Sequence, residues 1–253
     1  MSEQERVEKD VEQEEVGEDE SWQNGLVTGI AGKRIGINGV LDLRGVAQER
    51  VAGIESLKIN GVVLMDEANR DGLADVKTQI NGTVLVVDPD LRLMIQPDME
   101  FSKAGMAAMP EGQKVMLVGN VFFKPDVPAE LIGEKFERLY VVGIVLACEG
   151  VHGALLGKGE ITGISITLPD DVGEVVRSVG ESTWTPEYVS RLADGTTYVN
   201  IGMTRVSDGV PEDLVERKIR GYHNVGQTVG REAVLALLKS RCPTNMGEFS
   251  AEE

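Results

Sequence analysis

The chain has 253 residues, a formal net charge of −17 and 42% hydrophobic residues. That is enough to bury a sizeable core, as one large domain or two, and too apolar for a chain disordered throughout. Aromatics make up only 4%, and a strongly acidic surface repels phosphates, so nucleic acid is not an expected partner.

The longest apolar runs, such as "LYVVGIVLA", fall short of the ~20 residues that cross a bilayer. No charged-then-apolar signal opens the sequence, and no membrane partner is expected. Two cysteines, Cys148 and Cys242, are too few for a disulfide framework, which places the chain in a reducing cytoplasm. The first 20 residues hold ten acids against Arg6 and Lys9. With little to bury, residues 1–22 are expected to form a disordered acidic tail, either a solubilising segment or an arm for a basic partner.

From there the sequence repeats itself. "IGINGVLDL", "LKINGVVLMDE" and "TQINGTVLVVD" each place Ile-Asn-Gly before an apolar run. Aligned on the central glycine, the series is Gly39, Gly61, Gly82, Gly119, Gly143, Gly163, Gly202 and, more loosely, Gly226. Most intervals are 20–24 residues; those from Gly82 to Gly119 and from Gly163 to Gly202 are 37 and 39. Leu57, Ile59, Val63 and Met65 flank Gly61 at even spacing, as Val115, Leu117, Val121 and Phe123 flank Gly119. This is a strand period with one apolar face.

Asn-Gly is also a strong two-residue hairpin signal, but two copies read Val118-Gly119 and Val142-Gly143, and a β-branched residue suits such a turn poorly. A meander also gives no reason for a constant interval. The reading is therefore an α/β repeat solenoid over residues 23–229, roughly seven or eight coils of 20–24 residues with a parallel sheet and short helices. A right-handed parallel β-helix is the alternative. The glycine marks the corner of each coil, and Asn38, Asn60 and Asn81 stack as an amide ladder.

Several linkers read as helices: "DVPAELIGEKFER", "STWTPEYVSRLADG" with Thr185 as N-cap and Pro186 at the first position, and "SDGVPEDLVERKIRG". Strand, turn and short helix at this interval resemble the leucine-rich-repeat family; Ile54, Leu57 and Ile59 in "IESLKINGVVL" echo its L-x-x-L-x-L opening. A weaker resemblance is to the polymer-forming bactofilin type of β-helix. Both imply a structural or interaction protein, and neither supplies catalytic residues.

The two long intervals read as insertions at 88–113 and 169–196. The first carries Met94, Met99, Met106 and Met109, either an adaptable partner surface or filler across irregular core. Residues 230–243 read as a helix capping the C-terminal end, with 244–253 as a tail. The N-terminal edge, residues 26–43, reads as uncovered.

Catalytic patterns are sparse. Cys148 and His152 lie four apart, without the further ligands of a zinc site or the orienting residue of a nucleophilic couple; a core cysteine beside a surface histidine is the plainer reading. In "IRGYHNVGQTVGRE", Gly226 and Gly230 precede a helix, so backbone N–H groups could meet an anion with Arg220, His223 and Arg231 nearby; a structural turn is the alternative. No cofactor or metal is expected. These readings together describe a non-enzymatic cytoplasmic scaffold whose partner is itself, as a homodimer before a filament, or another protein. The rival is an enzyme or binding protein that uses residues 220–231 to hold an anionic small molecule.

Overall fold

The computed structural model describes residues 22–28 and 34–251; the expected acidic tail lies outside them, except that Trp22 belongs to the first strand. The chain divides into two compact units, Met1–Leu91 and Arg92–Glu253. Strands dominate both, most described connections are short helices, and no described helix is long and apolar enough to cross a membrane.

In the first unit, β1 (Trp22–Thr28), β2 (Arg34–Asp42), β3 (Ser56–Met65) and β4 (Lys77–Val86) form one open parallel sheet in chain order. Parallel neighbours need a crossover; here α1 (Gln48–Ala52) joins β2 to β3 and a 3₁₀ turn (Glu67–Asn69) lies between β3 and β4. Strand alternation sends Leu57, Ile59, Val63 and Met65 to one face, where they pack with Ile37, Leu41 and Val51. Each such fully buried side chain is worth ~1.5–3 kcal/mol. Asp66 and Asn69 cap the 3₁₀ turn reciprocally at 3.1 Å, and Asp66 also accepts from the Gly45 amide at 2.6 Å, so the segments that follow β2 and β3 are tied together.

The second unit carries two parallel sheets. The first contains β5 (Arg92–Phe101), β6 (Gln113–Phe123), β7 (Phe136–Cys148) and β8 (Gly159–Leu168), with crossovers α2 (Lys103–Ala107), α3 (Ala129–Lys135) and α4 (Glu149–Leu156). The second contains β9 (Val175–Trp184), β10 (Thr196–Val206) and β11 (Ile219–Gly230), then β12 (Thr244–Asn245) and β13 (Glu248–Ala251), which both pair with β11. Its crossovers are α5 (Pro186–Arg191), α6 (Glu212–Lys218) and α7 (Glu232–Ser240). Phe122, Leu146, Ile166 and Leu168 of one sheet meet Val199 and Ile201 of the other. Residues of α2–α4 line the opposite face of the first sheet, and residues of α5–α7 that of the second. The unit is thus layered helix, sheet, sheet, helix. Arg177 on β9 bridges to Asp98 and Glu100 on β5 at 2.6 and 3.1 Å while lying 4.5 Å from the Phe122 ring centroid.

The recurring glycines stand side by side in register: Gly25, Gly39, Gly61 and Gly82; then Gly119, Gly143 and Gly163; then Gly180, Gly202 and Gly226. They lie in mid-strand, at neither a hairpin turn nor a coil corner as the sequence suggested. Gly61 has φ 145° and Gly143 has φ 135°, values that L side chains rarely adopt. A Cβ on Gly61 would overlap the carbonyl oxygen of Gly39, and one on Gly143 that of Gly119. Because β2, β3 and β4 carry the same feature at the same position, their ladder runs through it without slipping.

Three further readings are corrected. Each of the supposed insertions contains a strand of a parallel sheet. Residues 92–101 form β5, whose register shifts at Gln96-Pro97 opposite Gly119, and residues 175–184 form β9 with Gly180 in the column. The helix within 230–243 does not cap an end: Val234 and Leu238 of α7 pack on the same face as Val189 of α5 and Val215 of α6. Nor is 244–253 a plain tail. Its β12 and β13 cover the edge of β11, and Gly247 between them stacks against Gly226.

The asparagine ladder is present. Asn38 donates to Asn24 at 3.1 Å, Asn60 to Asn38 at 2.8 Å and Asn81 to Asn60 at 3.3 Å, all on an exposed face. A second ladder, Asn200 to Asn224 to Asn245 at 2.9 and 3.0 Å, runs through the second unit, where Asn200 and Asn224 are fully buried.

Candidate functional site

Among the described residues, two places offer more than packing. The first is the free edge of β1. Among the described residues, β1, β4, β5, β8 and β9 are the long strands at sheet edges. Natural edges are commonly guarded by charge or proline, because an unpaired ladder is a template for another strand. β4 has Lys77; β5 has Arg92, Pro97, Asp98 and Glu100; β8 has Glu160; β9 has Arg177 and Glu181. β1, "WQNGLVT", has neither a charge nor a proline, and Trp22 and Leu26 on it are 44% and 47% exposed.

The second is a cavity of about 180 Å³ in the second unit, where the β8–β9 connection meets the starts of β10 and β11 and the residues after α7. Its lining includes Asp171, Thr197, Arg220, His223 and Arg241. Strand register sets His223 beside Val199 of β10 and Thr244 of β12. Tyr222 and Asn224, its neighbours in sequence, join the hydrogen-bonded core on the helix side, so alternation turns His223 to the other face. His223 is 3% exposed and its Nδ1 has no partner. Burial pushes the imidazole down to about 4, leaving it neutral near pH 7. Arg241 is fixed by donation to the carbonyls of Glu216 and Ile219 at the end of α6, whereas Arg220 is exposed.

The anion-site candidates from the sequence are therefore separated. Gly226 and Gly230 belong to β11 rather than to a loop, and Gly226 is held in the glycine column. Arg231 sits at the far end of the strand, donating to the Val210 carbonyl at 2.7 Å and lying 3.9 Å from Glu212. At ~3.3 Å per residue it is about 25 Å along the chain from His223. His223 instead joins Arg220, Arg241 and Asp171. The last two come from other coils, so no local spacing could have announced them.

The methionines of β5, of α2 and just after it fill core: Met99 and Met106 are buried, and Met94 and Met109 pack against the same cluster. Cys148 is buried at the start of α4, its thiol pushed up by burial and by Asp170. His152 lies 2.6 Å from the Ser165 hydroxyl instead, so the two do not form a couple. Compared with protein-family models, curated proteins and solved structures, the chain matches none.

Proposed function

We propose that the chain is a non-enzymatic structural protein, a solenoid of strand–helix coils whose business is association with its own copies through β1. The unguarded β1 edge carries this reading. A contact between like edges closes around a two-fold axis, whereas a filament needs two different complementary surfaces. The other long edges bear charge or proline, so β1 meets its equal only in a second β1. The expected assembly is a homodimer with β1 antiparallel to its copy, Trp22 and Leu26 gaining cover.

The first 20 residues carry net −8 and add like charge to both members of that dimer. Salt screens this repulsion at separations beyond ~10 Å in ~0.1 M solution. Light scattering on the full chain and on a deletion of residues 1–20, at low and high salt, tests the proposal. The dimer should strengthen with salt in the full chain and lose that dependence in the deletion. A monomer under every condition would end it.

A further inference from the structure

Beyond self-association, the geometry points to a binding site for a small free oxyanion, of phosphate or sulfate size, in the cavity lined by Arg220, His223 and Arg241. The volume selects the size. About 180 Å³ holds on the order of six waters at ~30 Å³ each, below the ~300 Å³ at which pockets for larger ligands begin. Phosphate and sulfate fit within it.

The chemistry selects the charge. Arg220, Arg241 and Asp171 line the space; Arg241 also lies 3.8 Å from the Glu216 carboxylate, so the cation left over is Arg220, in a chain whose total is −17. Arg241 is pre-oriented by the carbonyls at the end of α6, so little of its freedom remains to be lost on binding. Arg220, exposed beside it and without a carboxylate partner among the described salt bridges, supplies the second fork. Asp171 opposes an anion, so the site should favour a ligand that can keep a proton, such as hydrogen phosphate, over one that cannot.

The third observation is His223. A buried ring nitrogen without a partner costs roughly 1–3 kcal/mol, and native structures rarely leave one so. This Nδ1 is buried and unpaired on a ring that lines the cavity. A ligand carrying both acceptor oxygens and a hydroxyl can satisfy either tautomer.

The test is a thermal-shift and 31P NMR titration of the full chain with inorganic phosphate, with chloride at equal ionic strength as control. Phosphate should raise the melting temperature saturably and broaden its own resonance. Arg220→Ala and His223→Gln should each weaken binding at least about tenfold, while Arg231→Ala, outside the cavity, should bind like wild type. Arg220 is exposed, so its variant tests the site even if His223→Gln folds poorly. No saturable response in wild type, an equal response in Arg220→Ala, or binding of a larger phosphoester to the exclusion of phosphate would each overturn the assignment.

Discussion

The side-chain amide of Asn200 donates to Oδ1 of Asn224 at 2.9 Å with both residues completely buried, and Asn224 passes the bond on to Asn245 at 3.0 Å. Thr204 donates to Oδ1 of Asn200 at 3.0 Å and Thr228 to Oδ1 of Asn224 at 3.2 Å. The arrangement is a satisfied polar stripe inside an apolar unit, and its cost appears only when one member is removed. Asn224→Ala should destabilise by about 2–4 kcal/mol, because it strands groups on both neighbouring strands. Asn60→Ala, in the exposed ladder, should cost less than about 1 kcal/mol, since water replaces the lost partner. Urea melts of the two variants check this; equal losses would show that burial is not what gives the inner ladder its weight.

The glycine column makes a second contrast. Gly143→Ala drives a Cβ into the Gly119 carbonyl in the middle of a sheet and should cost more than about 3 kcal/mol, through overlap added to the strain of positive φ. Gly25, on the edge strand, has φ 89° but no atom within 4 Å of where its Cβ would stand. Gly25→Ala should therefore cost only the ~1–2 kcal/mol of conformational strain. Thermal denaturation of both variants decides, and a Gly143→Ala protein as stable as Gly25→Ala would remove the column from the account.

Arg177 ties the two sheets of the second unit. Its guanidinium reaches Asp98 and Glu100, and Lys124 followed by Arg177 holds the Glu100 carboxyl below the usual range. Arg177→Met keeps most of the contact with Phe122 but leaves Asp98 without its partner. A loss of about 1–2 kcal/mol is expected, the carboxylates being partly solvated. Screening should shrink the difference in high salt, so urea melts at two salt concentrations provide the check.

His223 makes stability depend on pH. Its folded value, about 4, lies below the ordinary 6.5, so between these values the unfolded chain binds a proton that the folded chain refuses. Its contribution is complete above pH 6.5 and is lost as pH falls towards 4, by about 3 kcal/mol at most. The charged groups lining the same cavity are Arg220, Arg241 and Asp171; the two cations reinforce this direction and the carboxylate opposes it. His223→Gln should flatten the fall in stability between pH 6.5 and 5, measured by urea titration at each pH. An unchanged slope would mean that the ring is protonated in the fold.

The even spacing around Gly61 and Gly119 made the strands, their parallel order and the exposed asparagine ladder legible, because a repeated one-sided pattern has few other solutions. The same filter hid coils whose alternation is polar. In β9, Ser178, Glu181 and Ser182 surround Gly180, so an apolar template passes over it and counts an insertion. "NIG", "NVG" and "NMG" at Asn200, Asn224 and Asn245 place asparagine two residues before glycine instead of one. That single step moves the amide to the opposite face, which is why one ladder is exposed and the other buried. "TNMG" also carried the clue that the C-terminal residues form another strand. The cavity had no such sign, since Asp171, His223 and Arg241 meet only once three coils are stacked.

The central claim is that β1 is an assembly edge, and sedimentation velocity of wild type beside Leu26→Lys tests it most directly. Leu26 is 47% exposed, so the substitution adds a guarding charge without disturbing core, and the far-UV circular dichroism of the two proteins should match. Wild type is predicted to sediment as a dimer at high salt and Leu26→Lys as a monomer. A wild-type monomer, or a Leu26→Lys dimer of undiminished strength, would contradict the account.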